Sequence, residues 1–231
     1  AESPGGTLLL TLLRDDIAQN GALAINIIAH SAGALHACHF VENASQMLGA
    51  ELHIRNLILL TPACTCDLFA QEVLPYGDAI ETLRIVDLED ALERSDPVVR
   101  WLPLAYPRSL LYLISGLLED APATPLLGLA ANVFGPALTG TDAAPDAAAP
   151  AAAPDAALMA VRIYLQADPD RLLLSRTSES APAGARAGFA GHYGATGPLN
   201  DRATLDSIAA LLRPLPATNL APLDAQVTQT I

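Results

Sequence analysis

The stretch INIIAHSAGALHA, Ile25 to Ala37, places Ser31 between small residues where an apolar run meets a helical pattern. At a sharp strand-to-helix turn a serine hydroxyl is lifted clear of the sheet. The turn strains the serine backbone, and the residues two before and two after must be small, a need that Ala29 and Gly33 meet. The helix that follows aims its N-terminal amides at the same point, which suits a developing negative charge, with the Ala32 N–H as one oxyanion donor. A serine so placed is suited to nucleophilic attack on an acyl carbon. The plain alternative is a serine that caps a helix. A second group, His36, Cys38 and His39 with Cys64 and Cys66, suggests a metal. Helical spacing weakens that reading: His36 and His39 share a polar stripe with Asn43 and Gln46, whereas Cys38 belongs to the apolar one. Two surface imidazoles do not make a structural site, so neither metal nor cofactor is called for.

The elements that must hold Ser31 are legible in the periodicity. TLLLTLLRDDIAQN reads as a helix ending near Asn20-Gly21. LAINIIAH carries no charge and reads as a strand buried on both faces. Ala34, Ala37, Cys38, Val41, Ala44 and Leu48 form one apolar stripe on the next helix, and Gly49 can end it. IRNLILLTPA and TLRIVDL are the second and third strands. SLLYLISGLLED is a helix with Leu110, Leu113, Ile114 and Leu117 on its inner face, and either VRIYLQAD or RLLLSRT supplies a fourth strand. A glycine-bearing loop, GHYGATGPLND, carries His192. LDSIAALLR closes the pattern as a helix with Leu205, Ile208, Ala209 and Leu212 inward and Asn200 or Asp201 as N-cap. Strands alternating with helices predict an α/β fold, a mostly parallel sheet covered by helices. The low-complexity stretch 139–157, rich in Ala, Pro and Asp, lacks large apolar groups to bury and is expected to be a flexible surface insertion in a single domain over 1–231.

Ile25–Ala37 resembles the nucleophile elbow of the α/β-hydrolases, the superfamily of serine esterases and lipases, with Ala29 where glycine is usual. The resemblance implies the chain order serine, acid, histidine. It places the general base at His192, the only histidine far downstream, in a loop between a late strand and the last helix. The acid it leaves between two residues. Asp90 lies just beyond the third strand, where the family's acid usually falls. Asp96 lies in RSDPVV, which looks like the Asp-x-Val-Val turn common at that acid. Asp87 lies inside the strand, and Asp67 follows the second strand, where a minority of lipases carry theirs. The implied chemistry is hydrolysis of an uncharged carboxylic or lipid-like ester through an acyl-enzyme. Trp101, Tyr106 and the helix after them would then be either a lid over an acyl pocket or an ordinary covering helix.

The same resemblance covers only the second half of that fold, since a complete member has several strands before its nucleophile. The chain is therefore expected to be a C-terminal portion of a longer hydrolase or to pair with a separate N-terminal segment or partner chain. That segment would bring the second oxyanion donor. The rival expectation is a non-catalytic half-domain that docks on a partner through its exposed sheet edge.

Composition narrows the alternatives. A net charge of −13 disfavours nucleic-acid phosphates and anionic membranes as partners. No lysine is present, which removes P-loop and Schiff-base chemistry. Three cysteines without a repeated spacing are not a disulfide framework and lean mildly to a reducing, cytoplasmic compartment. No apolar run reaches the roughly 18 residues of a membrane span.

Overall fold

The computed structural model describes residues 5–98, 106–135 and 156–213. Four strands form one all-parallel sheet in the order β1-β2-β3-β4: Leu23–His30, Leu52–Leu60, Ile80–Leu88 and Leu172–Ser175. Helices cover it, giving an α/β fold. They are α1 (Gly5–Asn20), α2 (Gly33–Leu48), α3 (Cys66–Glu72), α4 (Asp90–Ser95), α5 (Leu110–Leu113, continued as a wider turn over Ile114–Leu118), α6 (Ala130–Phe134), α7 (Ala156–Gln166) and α8 (Arg202–Leu212). Because every strand runs the same way, the turns after β1, β2, β3 and β4 all emerge at one edge of the sheet. No helix among the described residues is long and apolar enough to cross a membrane.

Two apolar layers hold the sheet. On one face Leu59 and Ile85 pack with α2, α3 and α7 through Val41, Phe69 and Val161. On the other, Ile58, Leu60, Val86 and Leu88 meet Ala187 and Phe189, with Leu92 of α4 and Ile208 and Leu211 of α8 against them. The α2 stripe is buried at all six expected positions, and Gly49 closes the helix with φ 56°, a conformation that glycine adopts without strain. Gly21, at φ 89°, ends α1 in the same way.

Two expectations are corrected and two open alternatives are decided. β1 is not buried on both faces. Among the described residues it pairs only with β2, so it is the sheet edge, its burial alternates, and Ile28 is 46% exposed. The doubly covered strand is β2, buried at all but His53 and Arg55. VRIYLQAD is helical, since Val161 and Leu165 complete the stripe of α7 with Leu158, and RLLLSRT supplies β4. The inner faces of α5 and α8 are borne out at Ile114 and Ile208, which pack on the core, but not at the positions beside them. Leu111 is buried while Leu117 is 70% exposed, and Thr204 and Ser207 are buried while Leu205 is 40% exposed. The backbone after α5 widens its turn, which breaks the 3.6-residue spacing on which the first of these expectations rested. Asp201, not Asn200, caps α8, accepting from the Thr204 N–H. The stretch 139–157 and Trp101 lie outside the described residues, save Ala156 and Ala157, which open α7.

Of the described glycines, Gly128 has the tightest approach of neighbouring backbone. Its N–H donates to the Pro62 carbonyl, and a Cβ there would stand 2.4 Å from that oxygen. Both sides of the contact are backbone, so neither can swing away. Gly128→Ala is expected to destabilise the fold by about 2–3 kcal/mol, seen as a fall in Tm of roughly 5–10 °C. A Tm within 1 °C of the parent would show that the 61–66 turn yields more easily than its hydrogen bonds suggest.

Candidate active site

Ser31 follows β1 directly and takes φ 53°, a left-handed conformation uncommon for a residue with a side chain. Its backbone is clamped on three sides. The N–H donates to Leu60 at 3.0 Å, and the carbonyl accepts from Ala34 at 3.0 Å and from Ala63 at 3.1 Å. The small neighbours meet across the turn: a Cβ added to Gly33 would lie 3.8 Å from the Ala29 Cβ. The capping alternative is not realised, because the residue before α2 is Ala32 and no side chain caps that helix. The Ala32 N–H has no backbone acceptor among the described residues, leaving it available to an oxyanion.

His192 is buried, 3% exposed, in the loop between β4 and α8. Its Nε2 lies 3.0 and 2.9 Å from the two carboxylate oxygens of Glu93 on α4. Both side chains are sealed from solvent, 2% and 1% exposed. Two buried ionisable groups in contact stabilise each other only where hydrogen bonding is well made, and the two-oxygen contact supplies that. With Nε2–H donating to Glu93, Nδ1 is the nitrogen left to accept a proton.

Asp96 plays a different part. Its Oδ2 accepts from the backbone N–H of His192 at 2.8 Å, so it fixes the loop rather than the ring. Gly191 allows this approach, since a Cβ there would lie 3.0 Å from the same oxygen. Asp90 does not reach the histidine. It is buried on α4, accepting from the Tyr112 phenol and, at 2.7 Å, from Arg94 Nε. Burial pushes the Tyr112 phenol above its ordinary value, and its hydrogen bond to Asp90 adds to the rise. Arg94 and Arg108 stand 5.5 and 5.3 Å from the Tyr112 ring centre, and the Ser109 N–H donates to the Glu93 carbonyl at 2.9 Å. This clasp binds α4 to α5 and so sets where Glu93 points. Asp67 is a surface residue paired with Gln71.

Ser31, Glu93 and His192 thus follow β1, β3 and β4 at the same edge of a parallel sheet. No hydrogen bond joins the Ser31 hydroxyl to His192 among the described residues. Such contacts are often loose before substrate binds. His30 is close enough to feel His192: burial lowers its imidazole below the ordinary value, and the charge of His192 lowers it further. The residue that the sequence did not single out is Glu93.

The other constellation separates in the structure. His39 pairs with Glu72 at 2.6 Å, and Cys38, Cys64 and Cys66 are buried thiols that form no disulfide with one another. A hydrogen bond with Cys38 raises the Cys64 thiol, and burial raises it further, the opposite of what a reactive or metal-binding thiolate needs. Comparison with known families, curated proteins and solved structures gives no match.

Proposed function

We propose that the protein is a serine hydrolase of the α/β-hydrolase type that cleaves an uncharged carboxylic ester through an acyl-enzyme. The observation that carries this reading is the strained Ser31 at a strand-to-helix turn, on the same sheet edge as a buried histidine–carboxylate pair. His192 Nδ1 takes the Ser31 proton as the oxygen attacks the ester carbonyl. The oxyanion forms against the Ala32 N–H and the start of α2. Glu93 holds the imidazole tautomer and balances the positive charge it gains. The leaving alcohol departs with the proton from His192. Water then donates a proton to His192 as it attacks the acyl-serine, which releases the acid and restores the enzyme.

A second reading has its own support. The free edge of β1 borders an apolar groove of about 520 Å³ between α1, β1 and α2, lined by Leu9, Leu13, Ile27 and Phe40. Unpaired, uncharged strand edges invite another strand. In the hydrolase reading a segment or partner there brings the second oxyanion donor; in the rival reading docking is the whole function.

The two are separated by a fluorophosphonate probe on the full-length natural protein, followed by peptide mass mapping. The expected result is a single adduct on Ser31, absent in Ser31→Ala and strongly diminished in His192→Ala. An unlabelled wild type, or labelling indifferent to both substitutions, would favour the docking module.

A further inference from the structure

Among the described residues, four of the buried polar side-chain atoms without a hydrogen-bond partner belong to residues at the level of Ser31: His30 Nε2, Thr61 Oγ1 and both carboxyl oxygens of Asp87. The strand register explains the grouping. His30 pairs with Leu60 and Leu60 with Val86, so the next residues, Ser31 just past β1, Thr61 just past β2 and Asp87 on β3, stand at one level. Thr61, like Ser31, has a positive φ, 41°, which is costly for a β-branched residue and tends to persist where surrounding structure imposes it. Thr61 and Asp87 are both fully buried, 0% exposed.

A buried carboxylate without a hydrogen-bond donor from the protein is among the least tolerable groups in an interior, and it escapes by holding its proton. Glu93, by contrast, has the His192 ring within hydrogen-bond distance of both its oxygens.

We propose that Asp87 is a positioning residue of the site, serving as an uncharged carboxylic acid level with Ser31, with β2 between them, that leaves Glu93 as the carboxylate in contact with the His192 ring. Burial raises its carboxyl well above the usual range, and the negative charge of Glu93 raises it further. The titratable group that acts on it is Glu93 on α4, which in turn contacts His192.

The proposal has a stability arm and a catalytic arm, and only the second rests on the hydrolase reading. In the unfolded chain Asp87 loses its proton near pH 4. In the folded protein it keeps the proton to higher pH. Between those points unfolding releases a proton, so this residue makes the wild type progressively less stable as pH rises. Asp87→Asn keeps the shape and removes the titration. The Tm of Asp87→Asn minus that of the wild type is therefore expected to grow as pH is raised from 4 and to level off above the folded value. A difference that shrinks with pH, or is flat, overturns the uncharged acid whatever the protein's activity.

In the catalytic arm, the acidic limb of the kcat/KM profile with a p-nitrophenyl ester reports the protonation of His192. It is expected to stay within about 0.2 pH unit in Asp87→Asn, since no charge is removed. A downward shift of a unit or more would mean that Asp87 is an anion. Asp87→Ala, which empties the space, is expected to lose about 10–100-fold in kcat, and Asn to restore most of it. Equal losses in Ala and Asn would deny the positioning role.

Discussion

Ser31→Ala and His192→Ala are each expected to lower kcat on a p-nitrophenyl ester by about 10⁵–10⁶-fold, and the double variant is expected to lose no more than either single one. The argument is one of shared function. The hydroxyl of Ser31 attacks only as its proton leaves, and His192 is the one imidazole placed in a buried contact with a carboxylate. Without the acceptor the nucleophile is inert, and without the nucleophile the acceptor has no proton to take. A loss of 10⁶-fold corresponds to about 8 kcal/mol of transition-state stabilisation. That is far beyond what removing a half-exposed hydroxyl costs in folding, so the Tm of Ser31→Ala is expected to stay near that of the parent. The residual rate would reflect the oxyanion donors and binding alone. Initial rates of the two single variants and the double, corrected for spontaneous hydrolysis, decide the point. If the losses multiply, the two residues act independently and the acyl-transfer reading fails.

Local chemistry made much of this legible in the sequence. The α2 stripe, the elbow around Ser31 and the loop histidine are patterns in which one residue's neighbours settle its setting: small residues flank a sharp turn, and apolar residues recur at 3.6. What the sequence hid depended on partners far along the chain. LAINIIAH looks like a strand buried on both sides because nothing in eight uncharged residues says whether a neighbour lies on each flank. Its edge position, by contrast, agrees with the exposed sheet edge that the half-fold resemblance implied, β1 pairing with β2 alone among the described residues. VRIYLQAD has enough alternation to pass for a strand, and only its packing on α3 and α6 selects the helix. The acid was hidden for a related reason. Counting from the end of β3 favours Asp90, and the wording of RSDPVV favours Asp96, yet α4 lies between them. Asp90 and Glu93 are a turn apart on α4 and Asp96 lies just past its end, so it is their partners on other elements that divide the tasks. Asp90 braces α5 through Tyr112, Glu93 meets the imidazole, and Asp96 ties down the histidine's backbone. The signal that was available is Glu93 itself, an acidic residue beside Leu92, which packs on the sheet. A carboxylate next to an inward-facing leucine on a helix of six residues has little room to reach solvent.

Glu93→Gln puts that assignment at stake. The amide can offer its oxygen to Nε2–H, or its NH₂ to an unprotonated Nε2. In the second case the ring proton moves to Nδ1 and the nitrogen that should accept the Ser31 proton is no longer free. Even in the first, no negative charge balances the imidazolium formed during attack. The corresponding change in a well-defined serine triad costs about 10⁴ in kcat, and a loss of about 10³–10⁴ is expected here with KM little altered. Asp96→Asn keeps an acceptor for the His192 N–H and is expected to lose less than about 10-fold. Asp90→Asn keeps an acceptor for Tyr112 but weakens the ion pair with Arg94. It is expected to act mainly on stability, by about 1–3 kcal/mol for a charged hydrogen bond in a buried setting. The order of the three kcat values carries the conclusion. If Asp96→Asn or Asp90→Asn costs more than Glu93→Gln, then the carboxylate in contact with the imidazole is not the one that catalysis uses, and the His192–Glu93 pair is a structural clasp at the edge of the sheet.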